Sequence, residues 1–387
     1  MQYVPIQAKT LLSKRTSEVG WFWNERSCNP YRGCFHGCTY CDGRNTYYHS
    51  PQPFDRKIEI KMNSPELFEK ELLKDGIERV HQGGDGTLLD FYEIDVPKRT
   101  PRFIVGIGGG VTDVYQPAER KYRITRKLLQ KCWEFEMPTT LLTKSHLVLE
   151  DLELLSKINK ADWMNVTFSV TVWDKTIQRR LEPQASSTKR RFDALQELRA
   201  NGIHGGVCLM PIIPKIADDM TNLNRILDEA VKADAEFVMW GYLTLKPDNK
   251  KYFLDKTVRP FYPEHVSYYL DAFEKKWYTW DVEVVKKLRK EIKDRGLSEI
   301  TPLPVPFGRN KTNLPLTKKI YHKSYELSFT KARESMERKA LIDLAKKLIT
   351  FPHSVTSSSN EVSSFLANLS EFQQEQLSEA IAQTNVL

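Results

Sequence analysis

No apolar run in the chain approaches the roughly 18 residues that a membrane-spanning helix needs, so nothing here is expected to cross a bilayer. The opening stretch, Met1 to Lys9, lacks the basic region and apolar core of a secretory signal. Cytoplasmic residence is the expectation. Cysteine is scarce, with six in 387 residues, and Cys28, Cys132 and Cys208 are scattered singly. That distribution does not resemble a secreted disulfide framework, and a reducing compartment would keep the thiols free. Internal repeats are missing, which argues against a repeat architecture. The dinucleotide fingerprint is missing too, because the G-x-G-x-x-G candidate starting at Gly106 ends in Val111.

What cysteine there is concentrates in one place. Cys34, Cys38 and Cys41 stand at a C-x3-C-x2-C spacing within Asn29-Pro30-Tyr31-Arg32-Gly33-Cys34-Phe35-His36-Gly37-Cys38-Thr39-Tyr40-Cys41. Three thiolates can converge from one such loop. A structural zinc would need a fourth ligand to close its tetrahedron, for which Cys28, His36 or His49 are candidates. A four-iron cluster is usually held by four thiolates, so three leave one iron open to a substrate or cofactor. The glycines and charged or aromatic neighbours argue against three merely packed thiols.

These residues carry a resemblance. The cysteine spacing resembles the signature of the radical S-adenosylmethionine superfamily, and Asn29 to Cys34 with His36-Gly37-Cys38 and Tyr40-Cys41 is similar to the branch related to spore photoproduct lyase. The resemblance covers about residues 10 to 245. It implies a 4Fe-4S cluster on Cys34, Cys38 and Cys41 whose open iron chelates S-adenosylmethionine. One electron from the cluster would cleave the cofactor to a 5'-deoxyadenosyl radical that takes hydrogen from a substrate. A one-electron reductant such as a flavodoxin or ferredoxin is the implied partner. Methylthiotransferases carry a second cysteine triplet upstream and peptide-modifying members carry cysteine-rich extensions; neither occurs here.

Along the chain, strand and helix patterns alternate. Ser64-Pro65-Glu66 opens a helix with a capping residue, an early proline and an acid near the positive end of the dipole. Residues 103–107 read as a buried strand, 118–135 as a helix, 140–143 as a strand and 147–158 as a helix. Strand 166–172, helix 188–200, strand 203–213, helix 220–232 and strand 237–243 follow. With a first strand entering the cysteine loop, this makes six units whose strands pair in parallel. The fold class expected is α/β, a partial (β/α)6 TIM-like barrel of the radical SAM type with a mainly helical C-terminal extension. The domain reading is a lead-in over 1–24, the barrel over 25–280, a basic and mostly helical extension over 281–350, and a Ser-rich linker with a terminal amphipathic helix over 351–387. Residues 81–100 read as a polar excursion and 246–261 as a loop.

In parallel barrels ligands gather at the carboxyl ends of the strands. There lie Gly108, Gly109 and Gly110, which allow close backbone approach, followed by Thr112 and Asp113. The resemblance places the cofactor's amino group at this turn and its carboxylate at Lys144. Ser169 and Thr171 share one face of a strand, and Ser169 is expected to meet the cofactor. The resemblance also gives Arg191, behind Leu181-Glu182-Pro183, a carboxylate to hold, and Tyr40 a place beside the cofactor. Glu150 departs from the basic residue that relatives carry before Asp151, which weakens any contact borrowed from that turn.

The substrate is not named by the sequence. Residues 301–350 hold eleven Lys and Arg against four Asp and Glu, which suits a nucleic-acid backbone or an ordinary solvated face. The lyases place a hydrogen-donating cysteine just before the pair resembling Thr112-Asp113, where this chain has Gly110. Cys208, on a barrel strand, is the candidate replacement. Lesion repair in DNA is therefore the second reading, and a zinc-stabilised binding protein the third.

Overall fold

The computed structural model describes residues 2–13, 22–81, 103–302, 316–317, 319–320, 323–324, 336–350, 355–356 and 359–384. The expected excursion at 81–100, apart from its first residue, lies outside them, as do Trp21 of the lead-in and most of 301–335.

Six strands form one parallel sheet: β2 (Arg26–Cys28), β5 (Val105–Ile107), β6 (Thr139–Thr143), β7 (Met164–Val170), β8 (His204–Ile212) and β9 (Val238–Tyr242), in that spatial order. Register runs from Cys28 to Ile107, Ile107 to Leu141 and Leu141 to Val166, and three residues further along β7 from Ser169 to Cys208 and Cys208 to Met239. Every residue of β7 is buried, as expected for a parallel sheet covered on both faces. The strands obey a period of two. Leu141, Val166, Phe168, Val170, Val207 and Leu209 enter the outer core against the helices. Cys208 and Met239 instead cluster with Leu142 and Met210 on the inner face. Outside the sheet pack α3 (Ile124–Glu134), α4 (Leu152–Ala161), α6 (Thr188–Ala200) and α7 (Met220–Lys232). This is the α/β partial barrel, with helices following it.

Three features differ from the sequence reading. First, a small second sheet pairs β1 (Gln2–Ile6) in parallel with β4 (Lys57–Lys61), which in turn runs antiparallel to β3 (Tyr31–Arg32). Its partners are about 55 residues apart, so local pattern does not reveal it. Second, the helix expected over 118–135 is split at Arg123, whose φ is 52°. The Glu119 carboxylate accepts from the N–H groups of Thr125 and Arg126 and so caps the second piece. Third, the expected loop at 246–261 is helical, with Pro247–Phe253 running into a π-helical turn at Leu254–Val258. Phe253, Leu254 and Val258 are buried against Val172, Leu181 and Ile213. Charged neighbours hide that apolar face in the sequence.

Helix Val282–Asp294 lays Leu288 and Ile292 into the main core. Met336–Thr350, Asn360–Ala367 and Glu371–Thr384 follow, and Ser359 caps the second of these with its hydroxyl, so part of the serine-rich segment begins a helix. Leu341, Leu344, Leu348 and Leu377 from these helices, with Leu369 between the last two, pack with Trp23, Ile104, Trp163 and Ile300. Trp23, Ile104 and Trp163 precede β2, β5 and β7. The tail thus closes the amino-terminal end of the barrel.

Candidate functional site

The cysteine loop leaves β3 through Gly33, where φ is +78° and an added Cβ would lie 2.6 Å from the Lys57 carbonyl. Only glycine fits there. The loop is then held from many sides. Cys34 N–H donates to the Phe54 carbonyl, and Thr39 N–H to the Leu181 carbonyl. Arg44 donates from Nε to the Cys38 carbonyl at 3.0 Å and from Nη2 to the Gly37 carbonyl at 2.9 Å. Its guanidinium lies 3.6 Å from the Tyr252 ring centroid. Asn249 Nδ2 donates to the Tyr40 carbonyl and to Asp42. Gly43 packs so closely that a Cβ would come within 2.5 Å of the Val111 carbonyl. The backbone of the three cysteines is braced before any ligand arrives.

Cys34 and Cys38 are buried and Cys41 is half-buried. Burial and then the Asp113 charge push the Cys34 thiol well up; burial and then Glu182 push Cys38 to about 12. Burial raises Cys41 as well, although the Gly43 N–H and Arg44 oppose it. Thiolates in this setting need a bound cation's charge. Among the described residues, no three His, Cys, Asp or Glu side chains are placed to hold a single metal ion. The fourth ligands considered for zinc stand in other surroundings. Cys28 is in the outer core, His36 Nδ1 faces Asp113 Oδ2 at 3.3 Å, and His49 is exposed. A cluster makes a different demand, since each thiolate meets its own iron, and three braced thiols on one loop match it.

The glycine turn lies alongside. Gly108 has φ +91° and donates its N–H to the Cys28 carbonyl at 2.9 Å. A Cβ on Gly110 would meet nothing within 4 Å, and one on Gly109 would meet only the Asn29 amide. The Gly110 carbonyl is 4.0 Å from Cys41 Sγ.

Behind the turn, Thr112 Oγ1 donates to the Gly33 carbonyl at 2.8 Å. The Asp113 carboxylate accepts from Tyr115 N–H, Thr143 Oγ1 and Lys144 N–H. Burial would raise this carboxyl, but His36 and these donors hold it at about 2.

Lys144 Nζ donates to Ser169 Oγ, lies 3.7 Å from Glu182 Oε1 and is 5.9 Å from the Tyr40 ring centroid. Its charge reaches Cys38, Cys41 and Cys208. Tyr40 donates its hydroxyl to Glu182 and lies 3.1 Å from Thr171 Oγ1. Arg191 is fully enclosed. It pairs with Glu182 and donates to the carbonyls of Ser169 and Ser186. Three of its five N–H donors are thus engaged within the protein. Glu182, which burial would raise, is held at about 2 by Arg191, Lys144 and Tyr40. Cys208 is buried on the inner face beside Ser169, with its thiol pushed up to about 12 by burial.

The fold brings the cysteines, the glycine turn, Lys144 and Ser169 named from the sequence to one end of the sheet. Sequence reasoning missed Arg44, Asn249 and the hub role of Glu182. Glu182 and Arg191 stand in one segment of the resemblance, which was the signal for that pair. Nothing local marks Asn249, about 200 residues from the loop it holds.

The profile described as the Radical SAM superfamily matches residues 28–225. An uncharacterized protein of Mycobacterium tuberculosis is 25% identical over 251 residues, covering 64% of this chain and 66% of the relative. The chain thus matches just under two thirds of that protein's length. An uncharacterized protein of Methanocaldococcus jannaschii is 25% identical over 265 residues, covering 68% of this chain and 85% of the relative. Among solved structures, spore photoproduct lyase complexed with dinucleoside spore photoproduct superposes with a TM-score of 0.53 at 14% identity, covering 76% of this chain and 78% of the other. At that identity the likeness concerns the fold.

Proposed function

The chain belongs to the radical SAM superfamily, and from that premise we propose that it is an enzyme holding a 4Fe-4S cluster on Cys34, Cys38 and Cys41 with S-adenosylmethionine beside it. The observation that carries this is the three-thiol loop braced from four segments, opening beside a glycine turn with room above it and a half-buried lysine. Bound together, cluster and cofactor supply reductive cleavage of the cofactor and hydrogen abstraction from a substrate.

The chain's own residues do the rest. Gly109 and Gly110 leave space for the ligand, and Lys144, steadied by Ser169, offers an ammonium to a carboxylate. Tyr40 covers the inner side of the loop. Thr112, Asp113 and Arg191 act as braces, because their polar atoms are engaged by the protein. A one-electron donor such as a flavodoxin or ferredoxin is the implied partner.

Anaerobically reconstituted protein is expected to be brown, to hold about four irons and to release 5'-deoxyadenosine with a reductant. Cys38→Ala should lose both iron and product. Colourless protein holding one zinc would overturn the reading. DNA-lesion repair is the second reading, and Cys208 on the inner face beside Ser169 favours it as a substitute donor. Since Gly110 supplies no thiol, efficient conversion of spore-photoproduct dinucleotide is not expected. Turnover that disappears in Cys208→Ala would reverse that expectation.

A further inference from the structure

We propose that Asn29 is a further cofactor-holding residue, whose carboxamide oxygen accepts a hydrogen bond from the amino group of bound S-adenosylmethionine; this rests on the function proposed above. Asn29 follows directly on β2, at the carboxyl end of the sheet. Its backbone carbonyl is used, accepting from Lys61 Nζ at 2.8 Å. Its side-chain Oδ1 is buried and has no hydrogen-bond partner. Leaving such an acceptor unpaired is unfavourable, and an orphan of this kind calls for an explanation such as an absent ligand, ion or water.

The amide borders the space above the glycine turn. A Cβ built on Gly109 would stand 3.8 Å from Asn29 Nδ2 and 4.0 Å from Oδ1, with nothing else within 4 Å. At the other side of the turn the Gly110 carbonyl is 4.0 Å from Cys41 Sγ. A group lying along Gly109 and Gly110 is therefore bracketed by the Asn29 amide and a cluster ligand.

Charge decides what that group is. The carboxylates near the turn are occupied: Asp113 accepts from Tyr115, Thr143 and Lys144, and Glu119 from Tyr31, Thr125 and Arg126. Asn29 Oδ1 is a buried acceptor without a partner, and it calls for an N–H donor. Lys144 follows β6, across the β5 glycine turn from Asn29, and its Nζ, which donates to Ser169 Oγ, has further hydrogens for a carboxylate. An acceptor on one side and a cation on the other suit the head of an α-amino acid, with its ammonium toward Asn29 and its carboxylate toward Lys144.

The test measures binding by anaerobic equilibrium dialysis of cluster-loaded protein, without reductant. Wild type, Asn29→Ala and Asn29→Asp are each titrated with S-adenosylmethionine and with an analogue lacking the amino group. Asn29→Ala should weaken S-adenosylmethionine by roughly tenfold or more, the size of a hydrogen bond to a charged group. Asn29→Asp, which keeps an acceptor, should bind at least as tightly as wild type. The analogue should bind all three proteins equally. Iron content should hold and the thermal midpoint should not fall in Asn29→Ala, because the amide oxygen has no partner in the fold. Equal weakening of both ligands in Asn29→Ala, no weakening of either, or failure of Asn29→Asp to restore affinity would each overturn the assignment. Wild-type protein that does not bind S-adenosylmethionine would overturn the parent function instead.

Discussion

Glu182 joins three parts of the site through one carboxylate. It takes the guanidinium of Arg191 from α6, the hydroxyl of Tyr40 from the cysteine loop, and lies near Lys144 at the end of β6. Glu182 and Arg191 are both almost wholly buried. Breaking a buried pair by neutralising one partner leaves the other charge uncompensated, which costs about 3–5 kcal/mol. Glu182→Gln should lower unfolding free energy by that order in denaturant titration, and an unchanged midpoint would show that the pair is not sustaining the fold. The pH dependence has a definite sign. A carboxyl held at about 2 when folded, against its usual value of 4.5, adds stability that is present above the usual value. That contribution is lost as pH falls toward about 2. Wild type should therefore converge on Glu182→Gln in acid and stand apart from it at neutral pH.

At the scale of elements, two glycines separate what the loop needs from what the ligand needs. Gly43→Ala puts a methyl 2.5 Å from the Val111 carbonyl and 2.8 Å from the Phe54 ring, so the loop must shift at a cost of about 1–3 kcal/mol. Iron uptake should fall with it. Gly110→Ala meets nothing within 4 Å and should keep both thermal midpoint and iron content. Equal behaviour of the two variants would contradict the packing described here.

The same contrast explains how much the sequence could reveal. The cysteine spacing and the alternation of strands and helices are local patterns, and they led directly to the loop, the glycine turn and a parallel sheet of six strands. Pairings across long separations leave no such trace. That applies to β1 against β4, to Asn249 against Tyr40 and to Thr257 against Thr39. The helix at 247–253 was hidden for another reason: its charges outnumber its apolar positions, and only the fold shows that Phe253 is buried.

At the scale of the molecule, the C-terminal helices are part of the barrel's closure. Removing residues from 336 onward would uncover Trp23, Ile104, Trp163 and Ile300, which pack against Leu341, Leu344 and Leu348. A shortened chain ending near residue 302 should bind a hydrophobic dye and unfold at lower temperature, while its cysteine loop, at the other end of the sheet, keeps its bracing contacts. A shortened chain with an unchanged midpoint would mean that the helices are passengers. A base stoppered in this way is no doorway, so a reactant arrives by another side than the one the tail covers.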